Sequence, residues 1–341
     1  MSYRKLCYFS TLVIVFLTSY MLWNEFRLMN KTKGRRGAAR KRADAVRRAG
    51  KISVIGGKSL ASNKVYDQVK SFVVFIGYPR SGHTLVSSLI DAHPRAIIAN
   101  EFDIIGRWEK WKPHQRNKYF LFDQLYKNSK MEAEKGYRSK KTKDDSPFDY
   151  NVPGQWQGKF KDTLKVIGAK KGGKTTRLLA KKKRMEVMEK IMKTVKIPFK
   201  FLHVVRNPYD NIATMLLRTK HKRVSMSQGF KLNDTEALER EMFKYFNLAA
   251  RNQFLSQKYK KNLLEIQSIE LIRKPKETLK GICKFLGLSC SQRYLEDCIK
   301  IIFKEPSNTR KNVVWTKEQI RKVKQSMKRF SFLKKFTFES D

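Results

Sequence analysis

An α/β fold, a P-loop-like parallel sheet flanked by helices and preceded by an N-terminal transmembrane helix, is predicted by three observations. Short apolar β-rich runs alternate with helical patterns from Ser71 onward. The first of these runs opens through a glycine-punctuated loop into a helix. An uncharged stretch near the start of the chain approaches the length of a bilayer span.

That stretch covers residues 6–23 (LCYFSTLVIVFLTSYMLW) and follows Arg4 and Lys5. A cleaved signal peptide would have a shorter apolar region and a small-x-small site after it, whereas Asn24, Glu25 and Phe26 come next. The chain therefore divides into a short cytoplasmic tail (1–5), a signal anchor (6–23), a basic stem (24–70) and a folded domain (71–341). The stem is rich in Arg, Lys and Gly and has no apolar periodicity, as expected of a solvated linker. Its positive charge taken alone argues for a cytosolic body. Two N-x-T sequons, Asn30 to Thr32 and Asn233 to Thr235, and the cysteine pair Cys290 and Cys298 suit an oxidising lumen instead.

The whole chain has 341 residues, with 75 Lys and Arg against 30 Asp and Glu for a formal net charge of +45. Its 41% hydrophobic and 12% aromatic content suffices for a core and excludes an acidic disordered tail or wholesale disorder. A surface this basic attracts polyanions.

Strands are expected at 71–77, 96–99, 164–168, 199–205 and 263–267, each apolar enough to lie between helical layers. A helix should follow the first, over 84–92. Met185, Met188, Ile191, Met192 and Val195 recur at helical spacing, as do Leu238, Met242, Phe246 and Ala249, and both stripes read as core faces. Thr316 and Gln319 match a capping box that should start a C-terminal helix. Residues 127–158 are polar and aperiodic, as in a substrate loop or an insertion. His93 reads as a helix-end residue, and His203 as a core histidine bonded to backbone.

Two segments carry chemistry. Gly77-Tyr-Pro-Arg-Ser-Gly-His-Thr84, between strand and helix, nearly fits the phosphate-loop pattern G-x-x-x-x-G-K-S/T, but His83 stands where the lysine would be and Arg80 is the loop's cation. The strand ending at Val205 runs into Arg206, with Asn207 as N-cap, Pro208 at the first helical position and Thr214 two turns along. An arginine fork and a hydroxyl at the mouth of a sheet hold an anion, whereas a magnesium-dependent NTPase would end such a strand in a carboxylate. No Cys/His cluster has zinc spacing, so no metal is expected.

These residues resemble the sulfotransferases that use 3′-phosphoadenosine-5′-phosphosulfate (PAPS). The segment Arg80, Ser81, Gly82, His83, Thr84 looks like their 5′-phosphosulfate loop, and Arg206 with Thr214 like their 3′-phosphate pair, Thr replacing the usual Ser. Residues 263–271, Pro275 and 284–288 resemble the family's later strand-plus-helix segment, so that the likeness runs discontinuously over about 73–331. The run from Pro79 to Leu85, followed by Asp91-Ala-His-Pro94, is similar to tyrosylprotein and other Golgi sulfotransferases. His83 departs from the common Ser or Thr at its position.

The resemblance implies PAPS as co-substrate and a single-pass type II protein of the Golgi membrane with a lumenal catalytic domain. It also implies sulfuryl transfer to a carbohydrate hydroxyl, an acidic glycan suiting the basic surface. Glu101, just past the second strand, matches the catalytic glutamate and would be the base, with Asp103 as fallback. Arg80 would neutralise the leaving group, supported by Lys170 or equally Lys171. Arg310, in a late loop over 307–312, would contact the 3′-phosphate. A protein-tyrosine acceptor fits the same motifs. A nucleotide kinase or NTPase, or a non-enzymatic polyanion binder, fits them less well, and no nucleic-acid partner is expected.

Overall fold

The structure, a computed structural model, describes residues 64–137, 149–220 and 231–339. The expected tail, the 6–23 anchor, the stem up to residue 63 and the Asn30 sequon lie outside these residues. Among the described residues no helix is long and apolar enough to cross a membrane.

Five parallel strands form one sheet in the order β2-β3-β1-β4-β5. They are β1 (Ser71–Gly77), β2 (Ala96–Asn100), β3 (Val166–Lys170), β4 (Phe199–Val205) and β5 (Leu263–Gln267). After β1 the chain builds outward to β2 and returns through β3, and then crosses to β4 on the other side of β1. The carboxyl end of β1 is therefore the switch point at which an open α/β sheet leaves a crevice.

All seven residues of β1 are buried, because helices cover both faces. Phe72, Val74 and Ile76 face one core, while Val73 and Phe75 face another, as the two-residue pleat requires. The first core takes Met185, Met188, Ile191 and Val195 from α5 (Lys182–Val195), the stripe expected there. The second packs α1 (His83–Asp91) through Leu85, Val86, Leu89 and Ile90. A third cluster joins α6 (Pro208–Lys220), α7 (Thr235–Lys258) and α11 (Lys317–Met327). Leu238, Met242 and Ala249 of α7 lie in it, and the Thr316–Gln319 capping box opens α11. Burying each large apolar side chain in these cores contributes about 1.5–3 kcal/mol before entropy is set against it.

The remaining helices are α2 (Ile104–Lys110), α3 (Lys118–Glu134), α4 (Gly173–Leu179), α8 (Ser268–Arg273), α9 (Pro275–Leu286) and α10 (Gln292–Lys300). Strands β1, β4 and β5 run as expected. The others differ: β2 continues to Asn100, and β3 spans Val166–Lys170 where 164–168 was expected. Pairing sets that register, since Ser71 of β1 and Ala96 of β2 both align with Val166.

The stem boundary at 70 is too late, because Tyr66 and Val69 are buried and Tyr66 meets Phe122 edge-on at 5.5 Å. The polar stretch 127–158 is not one loop either: its first eight residues complete α3. The helix pattern there is faint because the inward position is polar. Ser129 is buried and donates to the Asp91 carboxylate at 2.8 and 2.9 Å. Tyr137 and the Gly158 N–H also donate to Asp91, binding the two ends of the stretch to α1. Burial raises the Asp91 carboxyl to about 6 against these donors.

Two smaller expectations change. Cys290 bonds to Cys283, not Cys298: the last turn of α9 and the left-handed Gly287 bring Cys283 and Cys290 to 6.2 Å between Cα atoms, while Cys298 is a free thiol in the core. His203 is a core residue, but neither ring nitrogen has a hydrogen-bond partner, since it lies in mid-strand where neighbouring carbonyls serve the sheet. Burial accordingly lowers it to about 3. His93 follows the α1 cap and contacts the Ser289 carbonyl at 3.2 Å.

Candidate active site

The carboxyl ends of β2, β3, β1 and β4 deliver Glu101, Lys170, the loop 78–82 and Arg206 to one edge of the sheet. Gly77 aligns with Val204, so Arg80 and Arg206 leave adjacent strands at similar heights. Arg206 Nη1 lies 3.4 Å from the Arg80 carbonyl oxygen.

In the loop, Arg80 at φ 68° and Gly82 at φ 90° are both left-handed. Together they turn the chain from strand to helix within a few residues. N–H groups in the first turn of α1 have no carbonyl one turn back. Val86 is the first to be taken up, by the Gly82 carbonyl at 3.3 Å. The N–H groups ahead of it are suited to an anion. Ser81 is buried; its hydroxyl donates to the Tyr78 carbonyl at 3.1 Å and lies 3.2 Å from His83 Nδ1. Burial, then the nearby Lys170, lowers His83 to about 3. These two side chains brace the loop from within, and Arg80 is exposed. Burial of its inner part and the neighbouring Arg218 both lower the Arg80 guanidinium.

Arg206 is held on several sides. It donates to Thr214 Oγ1 at 2.9 Å, to the Ser307 carbonyl at 2.8 Å and to Thr309 Oγ1 at 2.9 Å. Thr214 and Thr309 both reach the Asp210 carbonyl, at 2.7 and 2.9 Å. The expected 206/214 pair thus meets in space. Arg310, the expected 3′-phosphate contact of the late loop, is buried and ion-paired to the Asp210 carboxylate at 2.5 Å, which holds that loop to α6 beside Arg206.

On the other side, Glu101 has φ 52°, a strained value for a residue with a side chain. Its two oxygens meet two lysines: Lys170 Nζ on Oε1, and Lys171 Nζ on Oε2 at 2.7 Å. Burial opposes ionisation, but Lys170 and then Lys171 outweigh it and bring the carboxyl to about 2. Of the two, Lys170 is the inward one, fully buried, and it also donates to Thr84 Oγ1 at 2.9 Å. Asp103, the fallback base, is the N-cap of α2, accepting from the Gly106 N–H and pairing with Lys174 at 2.8 Å.

Several residues of the site carried no signal in the sequence. Asp210 and Thr309 complete the Arg206 network. Thr176 accepts from the Gly77 N–H at 2.9 Å and donates to Asn252 at 2.8 Å, fixing the start of the loop. Such residues are ordinary polar side chains in helices, and only their long-range partners mark them. Among the described residues no group of three or more His, Cys, Asp or Glu side chains is placed to hold a metal ion.

The sequence model of the sulfotransferase family matches residues 73–292. Comparison with curated proteins yields no match. Among solved structures, the chain is similar to a sulfotransferase from Mycobacterium avium, at 12% identity and TM-score 0.45, covering 84% of this chain and 82% of that one. It is also similar to a mouse sulfotransferase complexed with PAP, at 16% identity and TM-score 0.42, covering 78% and 87%.

Proposed function

Because the chain belongs to the sulfotransferase family, we propose that it transfers a sulfuryl group from PAPS to a hydroxyl of a carbohydrate acceptor by in-line attack, with Glu101 as base. One observation carries this reading: Arg80 and Arg206 stand past the carboxyl ends of adjacent strands, with 3.4 Å between the second guanidinium and the carbonyl of the first loop. That arrangement suits a nucleotide with a charged group at each end. The complex of the mouse relative with PAP supports the choice of donor.

The residues fit such a donor. Ser81, Gly82, His83 and Thr84 offer backbone N–H groups to its 5′ end, and Arg80 adds a guanidinium. Arg206 and Thr214 hold its 3′-phosphate, with Arg310 keeping Asp210 and the late loop in place behind them. When bound, the donor supplies an activated sulfuryl group. Glu101 accepts the proton of the acceptor hydroxyl, and Arg80 and Lys170 neutralise the charge that gathers on the departing phosphate. Fixed positive groups serve this better than water because they need not reorganise as charge moves.

An acidic glycan is the favoured acceptor, since the +45 chain concentrates polyanions. We place the protein in the Golgi membrane as a single-pass type II chain anchored by 6–23. The Cys283–Cys290 disulfide and the exposed Asn233 of the second sequon support a lumenal domain. The test incubates the full chain with sulfur-labelled PAPS and a panel of glycans and tyrosine peptides. Label on acidic glycans supports the reading, label on peptides alone replaces the acceptor, and absence of both transfer and PAP binding overturns it.

A further inference from the structure

Glu101 is a base that is masked. Each of its oxygens is occupied by a lysine, and a carboxylate held near 2 takes up a proton poorly. The lysines differ: Lys170 is fully buried and already spans from Glu101 to Thr84 in the donor loop, whereas Lys171 is partly exposed and reaches only Glu101. The other charged and titratable groups around the carboxylate are Arg80 and His83 from the loop after β1. Glu132 of α3 acts on Lys170, and Asp103, paired with Lys174, also senses Lys171.

We propose that Lys171 is the positioning residue of the base: it keeps Glu101 in place while the Lys170 ammonium leaves the carboxylate for the anionic donor, so that the base is unmasked only in donor-loaded enzyme. This rests on the sulfuryl-transfer reading above. The step balances: the acceptor oxygen forms a bond to sulfur, the bond from sulfur to the bridging oxygen breaks, its electron pair leaves on the phosphate of PAP, and the hydroxyl proton passes to Glu101. The buried ammonium has a short path, since Thr84 already holds it at the edge of the donor loop. Lys171, left behind on Oε2, prevents the freed carboxylate from swinging out of the strained backbone turn at Glu101.

The test follows the Glu101 carboxyl by carbon NMR of the full chain labelled in glutamate, assigned with Glu101→Gln, with and without PAP; no acceptor is needed. The nucleotide's own charge raises Glu101 in every variant. In the wild type the rise should exceed that in Lys170→Met by about one to three pH units, the size of losing one close opposite charge. Lys171→Met should titrate higher than wild type both with and without PAP and keep the extra PAP-induced rise, and Lys171→Arg should restore the wild-type curve. A wild-type rise no larger than that of Lys170→Met overturns the proposal, as does a Lys171→Met protein that titrates like wild type. Calorimetry of PAP on the same samples separates this failure from that of the parent reading, which falls if the wild type does not bind PAP.

Discussion

Gly77–Thr84 departs from the phosphate-loop pattern at its lysine position, whereas Gly168–Thr175, at the neighbouring strand, satisfies every position of it, ending in Gly173, Lys174 and Thr175. Only the first string is an open loop. In the second, β3 runs on through Lys170 and α4 begins at Gly173, leaving two residues between them. Its glycines serve contact instead. A Cβ on Gly168 would collide with the Val73 backbone, one on Gly172 would stand 2.8 Å from the His83 ring, and one on Gly173 would stand 2.8 Å from the Pro79 nitrogen. Its lysine pairs with Asp103. The matching letters of the second string thus hold β3 and its turn against the first loop. A phosphate loop is defined by where the strand stops, and letters alone do not decide that.

The contrast can be broken from either side. The largest expected effect is on the open loop: Arg80→Ala should weaken PAP binding about 10- to 150-fold by calorimetry, as should Arg206→Ala, each removing a charge-assisted contact worth about 1.5–3 kcal/mol. Next, Gly173→Val should destabilise the fold by about 1–3 kcal/mol in a denaturant melt, because backbone of the first loop blocks the added carbons. A neutral result there would show that the two junctions are not pressed together.

A pH effect should come third. Glu101 has a folded pKa depressed to about 2 from the ordinary carboxylate value of 4.5, so the stability it contributes is present above 4.5 and lost as pH falls toward 2. Glu101→Gln should therefore flatten the stability slope across that window in acid-unfolding curves, and an unchanged slope would contradict the paired lysines. The smallest effect should be that of Lys174→Met, with PAP affinity within about twofold of wild type, since its part-exposed pair with Asp103 contributes little. Loss of PAP binding there would make the second string the nucleotide loop and reverse the comparison.

Much of the sheet was legible because its signal is local. The runs Ser71–Gly77, Phe199–Val205 and Leu263–Gln267 are apolar, bounded and of strand length, and the loop and Arg206 sit at their ends where the pattern places them. Where the expectation slipped, the deciding partner was distant. The span of β3 is set by pairing with β1 and β2, and the inward position of the helical stretch Lys127 to Glu134 is the polar Ser129, which meets Asp91, 38 residues away. Arg310 is held by Asp210, 100 residues away, and Cys283 reaches Cys290 through a turn that leaves Cys298 in the core.

By itself, then, the sequence determined the alternation of strands and helices, the apolar faces that stack them, and the cationic residues at two strand ends. These follow from side-chain periodicity, backbone preferences and charge, all properties of neighbours along the chain. Tertiary structure alone decided that Arg206 comes to the backbone of the Arg80 loop, that two lysines converge on Glu101, and which of two phosphate-loop strings became a loop. Those outcomes depend on strand order and register, and one residue's shift of a strand reverses which side chains face the site, so only the packed sheet could select among them.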